Sequence, residues 1–229
     1  MRPDILINRK AEFKISMKQW LLVCCGFSCL LVCIRIVATG YLTYLFLVWN
    51  LFLALIPFAI SEWLFKNNQV IGNKWKLSLS LLCWLLFIPN SFYIVTDLFH
   101  LDQFDSAPKW FDLLLLFSFA WNGLVLGIIS VRKIELLLHT ISRRRFSIAF
   151  VCGVMWLNAF GVYVGRYLRY NSWDIITQPF SLFQEMLNVI IHPLHNKMEW
   201  GMITSWAVFM TLFYITIKKL AESFLLHKR

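Results

Sequence analysis

Four polar side chains, Asn90, Tyr93, Asp97 and His100, close an otherwise apolar run at spacings of 3, 4 and 3 residues. On a helix that spacing stacks them along one face. A carboxylate and an imidazole one turn apart can hold and pass a proton, so Asp97 and His100 are the expected catalytic pair, as general base or proton carrier. Arg166 and Arg169 stand at the end of another apolar run. Planar guanidinium groups grip phosphate or carboxylate oxygens two at a time, which makes these arginines the expected anion-binding element, with an anionic lipid headgroup as a natural partner. Asn90, Tyr93, Asn158, Asn171 and Asp174 are read as supporting polar groups. His192 and His195 could join His100 and either Asp97 or Glu199 as imidazole and carboxylate ligands of a divalent metal, with one position left open. No HExxH string, nucleophile elbow, P-loop or Rossmann glycine pattern is present, so the common soluble enzyme classes have no support.

The elements that must position these groups are membrane helices. Of 229 residues, 59% are hydrophobic and only 15% charged, and the mean hydropathy is +0.66, more apolar surface than a soluble domain can hide. Apolar runs over Trp20–Ala38, Tyr41–Ser61, Trp75–Leu98, Phe111–Val131, Ser147–Tyr167 and Trp200–Ile217 are each long enough to cross a bilayer, which takes roughly 20 residues. Trp20, Tyr41, Trp63, Trp75, Trp110 and Trp200 mark their ends at headgroup level. The expectation is a single polytopic domain over residues 1–229, an all-α membrane protein built as a bundle of six transmembrane helices.

Of the 22 Lys and Arg, all but Arg35, Lys109, Arg166, Arg169 and Lys197 fall on one set of alternate segments. The positive-inside rule then places both termini in the cytoplasm, as in a multi-pass protein of the cytoplasmic (inner) membrane. With its basic residues so placed, the net charge of +10 sets orientation and implies no nucleic-acid partner. The first run is read as an uncleaved anchor, because removing it would leave an unpaired topology. The six cysteines lie inside apolar runs without ligand spacing and are read as packing residues. One long outer loop, from Leu168 to Glu199, contains a helix-like segment opening at Pro179 and running to Ile191, expected as an interfacial or re-entrant helix between spans five and six. The Arg132–Arg145 segment is read as a cytoplasmic loop whose apolar Ile134–Leu138 stretch suits an anionic inner leaflet or simply sets orientation.

Within such a bundle the polar stripe must face the interior or a wet cavity, and Pro89 should kink the helix where the stripe begins. Gly161 and Gly165, like Gly123 and Gly127, form GxxxG pairs that admit a close neighbour. Asp97 and Arg166 fall at similar depth on different helices and are expected to pair, either as a functional site or as a structural clamp. Asn50, Asn122 and Asn158 are candidates for interhelical hydrogen bonds. All strong candidates gather at the outer end, with no comparable cluster at the cytoplasmic end.

The strings Trp49-Asn50 with Pro57, Pro89-Asn90-Ser91-Phe92-Tyr93 followed by Thr96-Asp97-Leu98 and His100-Leu101, and Gly165 to Asp174 resemble an uncharacterised bacterial membrane-protein family, domain of unknown function 1361. The resemblance implies a bacterial cytoplasmic-membrane protein and brings no activity, cofactor or catalytic role with it. Three functions fit these readings: binding or processing of a lipid or lipid-linked envelope molecule at an extracytoplasmic site, a non-catalytic partner or assembly factor for envelope machinery, and a small transporter. Polar groups at one end only favour the first over transport.

Overall fold

The computed structural model describes residues 16–104, 106–142, 147–168, 170 and 177–226. Among these the chain is helical: α1 (Met17–Thr39), α2 (Leu45–Lys66), a single turn α3 (Asn68–Ile71), α4 (Lys74–Tyr93) continued by a 3₁₀ segment (Ile94–His100), α5 (Lys109–Ser142), α6 (Ser147–Arg166), α7 (Pro179–Ile191) and α8 (Lys197–Leu226). Six helices, all but α3 and α7, are long and apolar enough to cross a membrane, as expected from the sequence. Local chemistry sets several boundaries. Ser16 and Gln19 form a capping box at the start of α1, and Gly40, at φ 73°, ends it in the left-handed region. Asn73 accepts from the amides of Trp75 and Lys76 to start α4.

Within the bundle α4 touches α2, α5 and α6. Lipid chains are as apolar as leucine, so close packing and polar contacts rather than water exclusion hold such helices together. Both glycine pairs do this against the C-terminal half of α4. A Cβ on Gly161 would lie 2.7 Å from the Pro89 ring, and one on Gly123 would lie 2.7 Å from the Ser91 carbonyl. Gly127 faces Phe92, and Gly165 faces the Tyr93 ring. Hydroxyls tie the same helices: Trp84 Nε1 donates to Ser130 Oγ at 2.8 Å, which donates to the Pro57 carbonyl at 2.9 Å, and Ser91 Oγ donates to the Ala54 carbonyl at 3.2 Å.

The helix runs through Pro89, whose ring faces the missing side chain of Gly161, and its winding changes at Ile94, where the 3₁₀ segment begins. Two expectations are corrected. Arg132 to Ser142 is the continuation of α5 rather than a loop, and Ile134 and Leu137 are buried in the core instead of meeting lipid. That end of the bundle also has charge clusters of its own. Buried Glu135 takes Lys218 at 2.8 Å together with Arg132 and the Tyr214 hydroxyl, and Glu62 is met by Lys18, Lys66 and Lys133. Arg143 to Arg145 lie outside the described residues.

The helix expected between the last two spans is present as α7. It buries Leu182 and Val189 against α6 and α8, is pinned by Trp200 Nε1 donating to the Val189 carbonyl at 2.9 Å, and leaves Phe180, Phe183 and Ile191 exposed.

Gly161→Ala is expected to lower stability in detergent by about 1–3 kcal/mol through overpacking. Gly153→Ala, whose methyl meets nothing within 4 Å, should be neutral or stabilise by up to about 1 kcal/mol through helix propensity. Thermal unfolding of both variants beside the parent separates them; equal effects would mean that α4 and α6 do not meet through this glycine.

Candidate functional site

The polar stripe survives the change from α-helix to 3₁₀, because three residues per turn stack Asp97 over His100. It divides into two parts. Asn90 and Tyr93 face a groove, while Asp97 and His100 enter an ion cluster.

In the cluster, Asp97 is 1% exposed. Its Oδ2 accepts from Asn50 Nδ2 at 2.8 Å and its Oδ1 lies 3.7 Å from Arg166 Nη1. Arg166 Nη1 is nearer to His100, at 3.0 Å from Nε2. A guanidinium can only donate, so Nε2 carries the lone pair, and the ring proton sits on Nδ1 where it reaches Gln103 Oε1 at 2.6 Å. His100 is thereby held as the neutral Nδ1–H tautomer, its ring edge against Phe46 at 5.2 Å. The guanidinium carbon of Arg166 lies 5.4 Å from the centre of the exposed Phe99 ring. The expected Asp97–Arg166 pairing is therefore present, with His100 as the closer partner.

Beside it stands a second ion pair. Arg35 and Asp112 are each 1% exposed and meet through two contacts, Nε to Oδ1 at 2.7 Å and Nη2 to Oδ2 at 3.0 Å. Arg35 also donates to Thr43 Oγ1 and Ser106 Oγ and stacks on Tyr44 at 4.4 Å. The Tyr44 hydroxyl donates to the His100 carbonyl at 3.1 Å, which joins the two networks. Arg35 was not among the sequence candidates, although a signal existed: an arginine inside a first span needs an acid at its own depth, and Asp112 opens α5 on the same side.

The groove has a volume of about 420 Å³ and lies between α2, α4, α6 and α7. Leu82, Leu85 and Leu86 of α4 and Leu182 and Met186 of α7 make most of it apolar, with Asn50, Asn90 and Tyr93 as its polar part. Tyr170 also lines it and donates to Glu185 Oε1 of α7 at 3.3 Å.

Other candidates go elsewhere. Asn158 is fully buried outside the groove, its amide 3.9 Å from Met155 Sδ and its carbonyl without a hydrogen-bond partner among the described residues. The four-ligand metal set is not assembled: no three His, Cys, Asp or Glu among the described residues are placed to share a metal. The turn carrying His192 and His195 is exposed and serves as a helix junction, with Asn196 Nδ2 on the His192 carbonyl at 2.9 Å. Glu199 sits in the first turn of α8. Arg169, Asn171 and Asp174 lie outside the described residues.

A family model described as protein of unknown function (DUF1361) matches residues 49–216, a span that holds the whole groove and the Asp97 cluster. No curated protein and no solved structure matches the chain.

Asp112→Ala would strand Arg35 as an uncompensated buried charge and should cost about 3–5 kcal/mol of stability. Asp97→Asn keeps an acceptor for Asn50 and loses only the 3.7 Å contact, so its loss should be clearly smaller. Denaturation of the two variants in the same detergent tests this ranking, and a reversed order would make Asp97 the structural clamp.

Proposed function

We propose that this chain, which belongs to the family described as protein of unknown function DUF1361, is a multi-pass membrane protein that binds a lipid or lipid-linked molecule at its outer-leaflet end. The polar head would sit at Asp97, His100 and Arg166 and the hydrocarbon in the adjoining groove. One observation carries this reading: Asn50 both lines the groove and donates to Asp97, so a largely apolar cavity of lipid-chain character is continuous with an ionised cluster. Ligand sites generally combine an apolar lining with a few converging polar groups in this way.

The excess of Lys and Arg at the Glu135 end argues that this end is cytoplasmic and the Asp97 end faces out. With Phe180, Phe183 and Ile191 turned away from the bundle, α7 would lie in the headgroup layer and roof the groove with Leu182 and Met186. A transport route would need polar lining through both halves of the membrane. Instead the groove wall on α4 turns to leucine at Leu86, Leu85 and Leu82, and Glu135 at the far end is paired with its own cations. Binding is the activity this geometry supports best, because chemistry at His100 would first require Nε2 to leave Arg166.

Leu86→Trp, which fills the groove from α4, should reduce co-purifying or added lipid by about tenfold, the effect of some 1.4 kcal/mol. Leu79→Trp, on an exposed part of α4 outside the groove, should change nothing. Native mass spectrometry of the two proteins reads the difference, and unchanged lipid in the Leu86 variant would refute the groove as the site.

A further inference from the structure

We infer that the ligand is a single-chain amphiphile with an oxyanion head, a phosphate or a carboxylate, and that Arg166 is the residue that receives the head. This rests on the lipid-binding reading above and adds its chemical class.

The argument comes from two arginines at the same end of one bundle. Arg35 makes four side-chain hydrogen bonds, two of them to Asp112, and is 1% exposed. Four of its five N–H donors are taken and it is sealed from solvent, so it serves as a clamp. Arg166 is built differently. Its one hydrogen bond among the described residues goes to His100 Nε2, Asp97 stands beyond hydrogen-bond range at 3.7 Å, and its side chain is 17% exposed. A guanidinium has five N–H donors, and most of those on Arg166 have no acceptor within the described residues. Donors that no described residue takes up, on the residue after groove-lining Gly165, leave room for an acceptor brought by a ligand.

The surroundings select what that acceptor can be. Asp97 is held by Asn50 on its far oxygen, which keeps it beside the guanidinium without covering it. His100 offers a lone pair rather than a proton, so Arg166 is the group in the cluster with cationic donors to spare, and an oxyanion matches its fork geometry. Phe99, exposed under the guanidinium, keeps one face of it apolar. The groove next to it is narrow: Gly161 and Gly165 hold α6 against Pro89 and Tyr93, and about 420 Å³ remains between the helices. That space matches the volume of one hydrocarbon chain.

The test compares four probes on the full chain in detergent by native mass spectrometry or calorimetry: a long-chain alkyl phosphate, the alkyl carboxylate and the alkyl alcohol of the same length, and inorganic phosphate. In the unmodified protein the anionic amphiphiles should bind about ten- to a hundredfold tighter than the alcohol, the range expected for hydrogen bonds to a charged group. Arg166→Gln should bring them to parity with the alcohol and leave the alcohol's affinity unchanged. Arg166→Lys should restore part of the preference through charge without the fork. Equal binding of alcohol and anions by the unmodified protein would overturn the oxyanion assignment while leaving the groove as a lipid site. Binding of inorganic phosphate as tightly as the alkyl phosphate would overturn the amphiphile, and failure of every alkyl probe would overturn the lipid-binding reading itself. Because the head-group comparison is made first on the unmodified chain, the inference stays testable even if a variant at Arg166 fails to fold.

Discussion

A charge placed among hydrocarbon chains must find a partner, and this constraint organises the Asp97 end of the bundle. Arg35 lies in α1 and Asp112 in the first turn of α5, 77 residues apart, and their two-point contact fastens α1 to α5. From there Tyr44 connects Arg35 to the backbone of the 3₁₀ segment, which carries Asp97 and His100. The buried ion pair thus supports the second cluster from behind. A buried pair is weak evidence of net stability, since desolvation opposes its attraction, but losing either partner leaves the other exposed to the full penalty. It therefore specifies which helix stands beside which more than it strengthens the fold.

Where charges do not act, small residues do. The glycines of α5 and α6 bring two backbones against the C-terminal half of α4, and serine hydroxyls satisfy carbonyls of α2 near its proline. This close grip has a consequence for the groove. With α4 drawn tightly to α5 and α6, the remaining space falls between α2, α4 and α6, beneath α7, and its polar part is made by residues of the same stripe that enters the ion cluster. The packing that stabilises the bundle and the geometry of the cavity are two results of one arrangement. At the opposite end, Glu135 and Glu62 collect cations from α1, α2, α5 and α8, and Glu135, Arg132 and Lys218 line a second cavity of about 510 Å³.

Much of this was legible in the sequence because the bilayer imposes simple rules. Run length, belt aromatics and the placement of basic residues follow from one-dimensional hydrophobicity, so the number and nature of the spans needed no tertiary information. The spacing of Asn90, Tyr93, Asp97 and His100 placed them on one face whether that face is wound as α or 3₁₀, and the glycine pairs announced close approach without naming the neighbour. The Asp97–Arg166 proximity followed from matching depths on two spans. The extent of α5 was less legible, because Arg132 and Lys133 look like the start of a loop until Glu135 is seen buried under Lys218 and Tyr214.

Sequence alone therefore determined an all-helical chain with six spans, an amphipathic helix before the last of them, and a polar stripe gathered at one end. Tertiary structure alone decided which polar groups meet. It put Asn50 on Asp97, brought His100 nearer to Arg166 than Asp97 is, gave Arg35 to Asp112, and separated His192 and His195 from any shared metal position among the described residues. The physical reason is that hydrophobicity is a property of each segment and can be summed along the chain, whereas a hydrogen bond or ion pair depends on a few ångströms between residues dozens apart in sequence, which only helix packing sets.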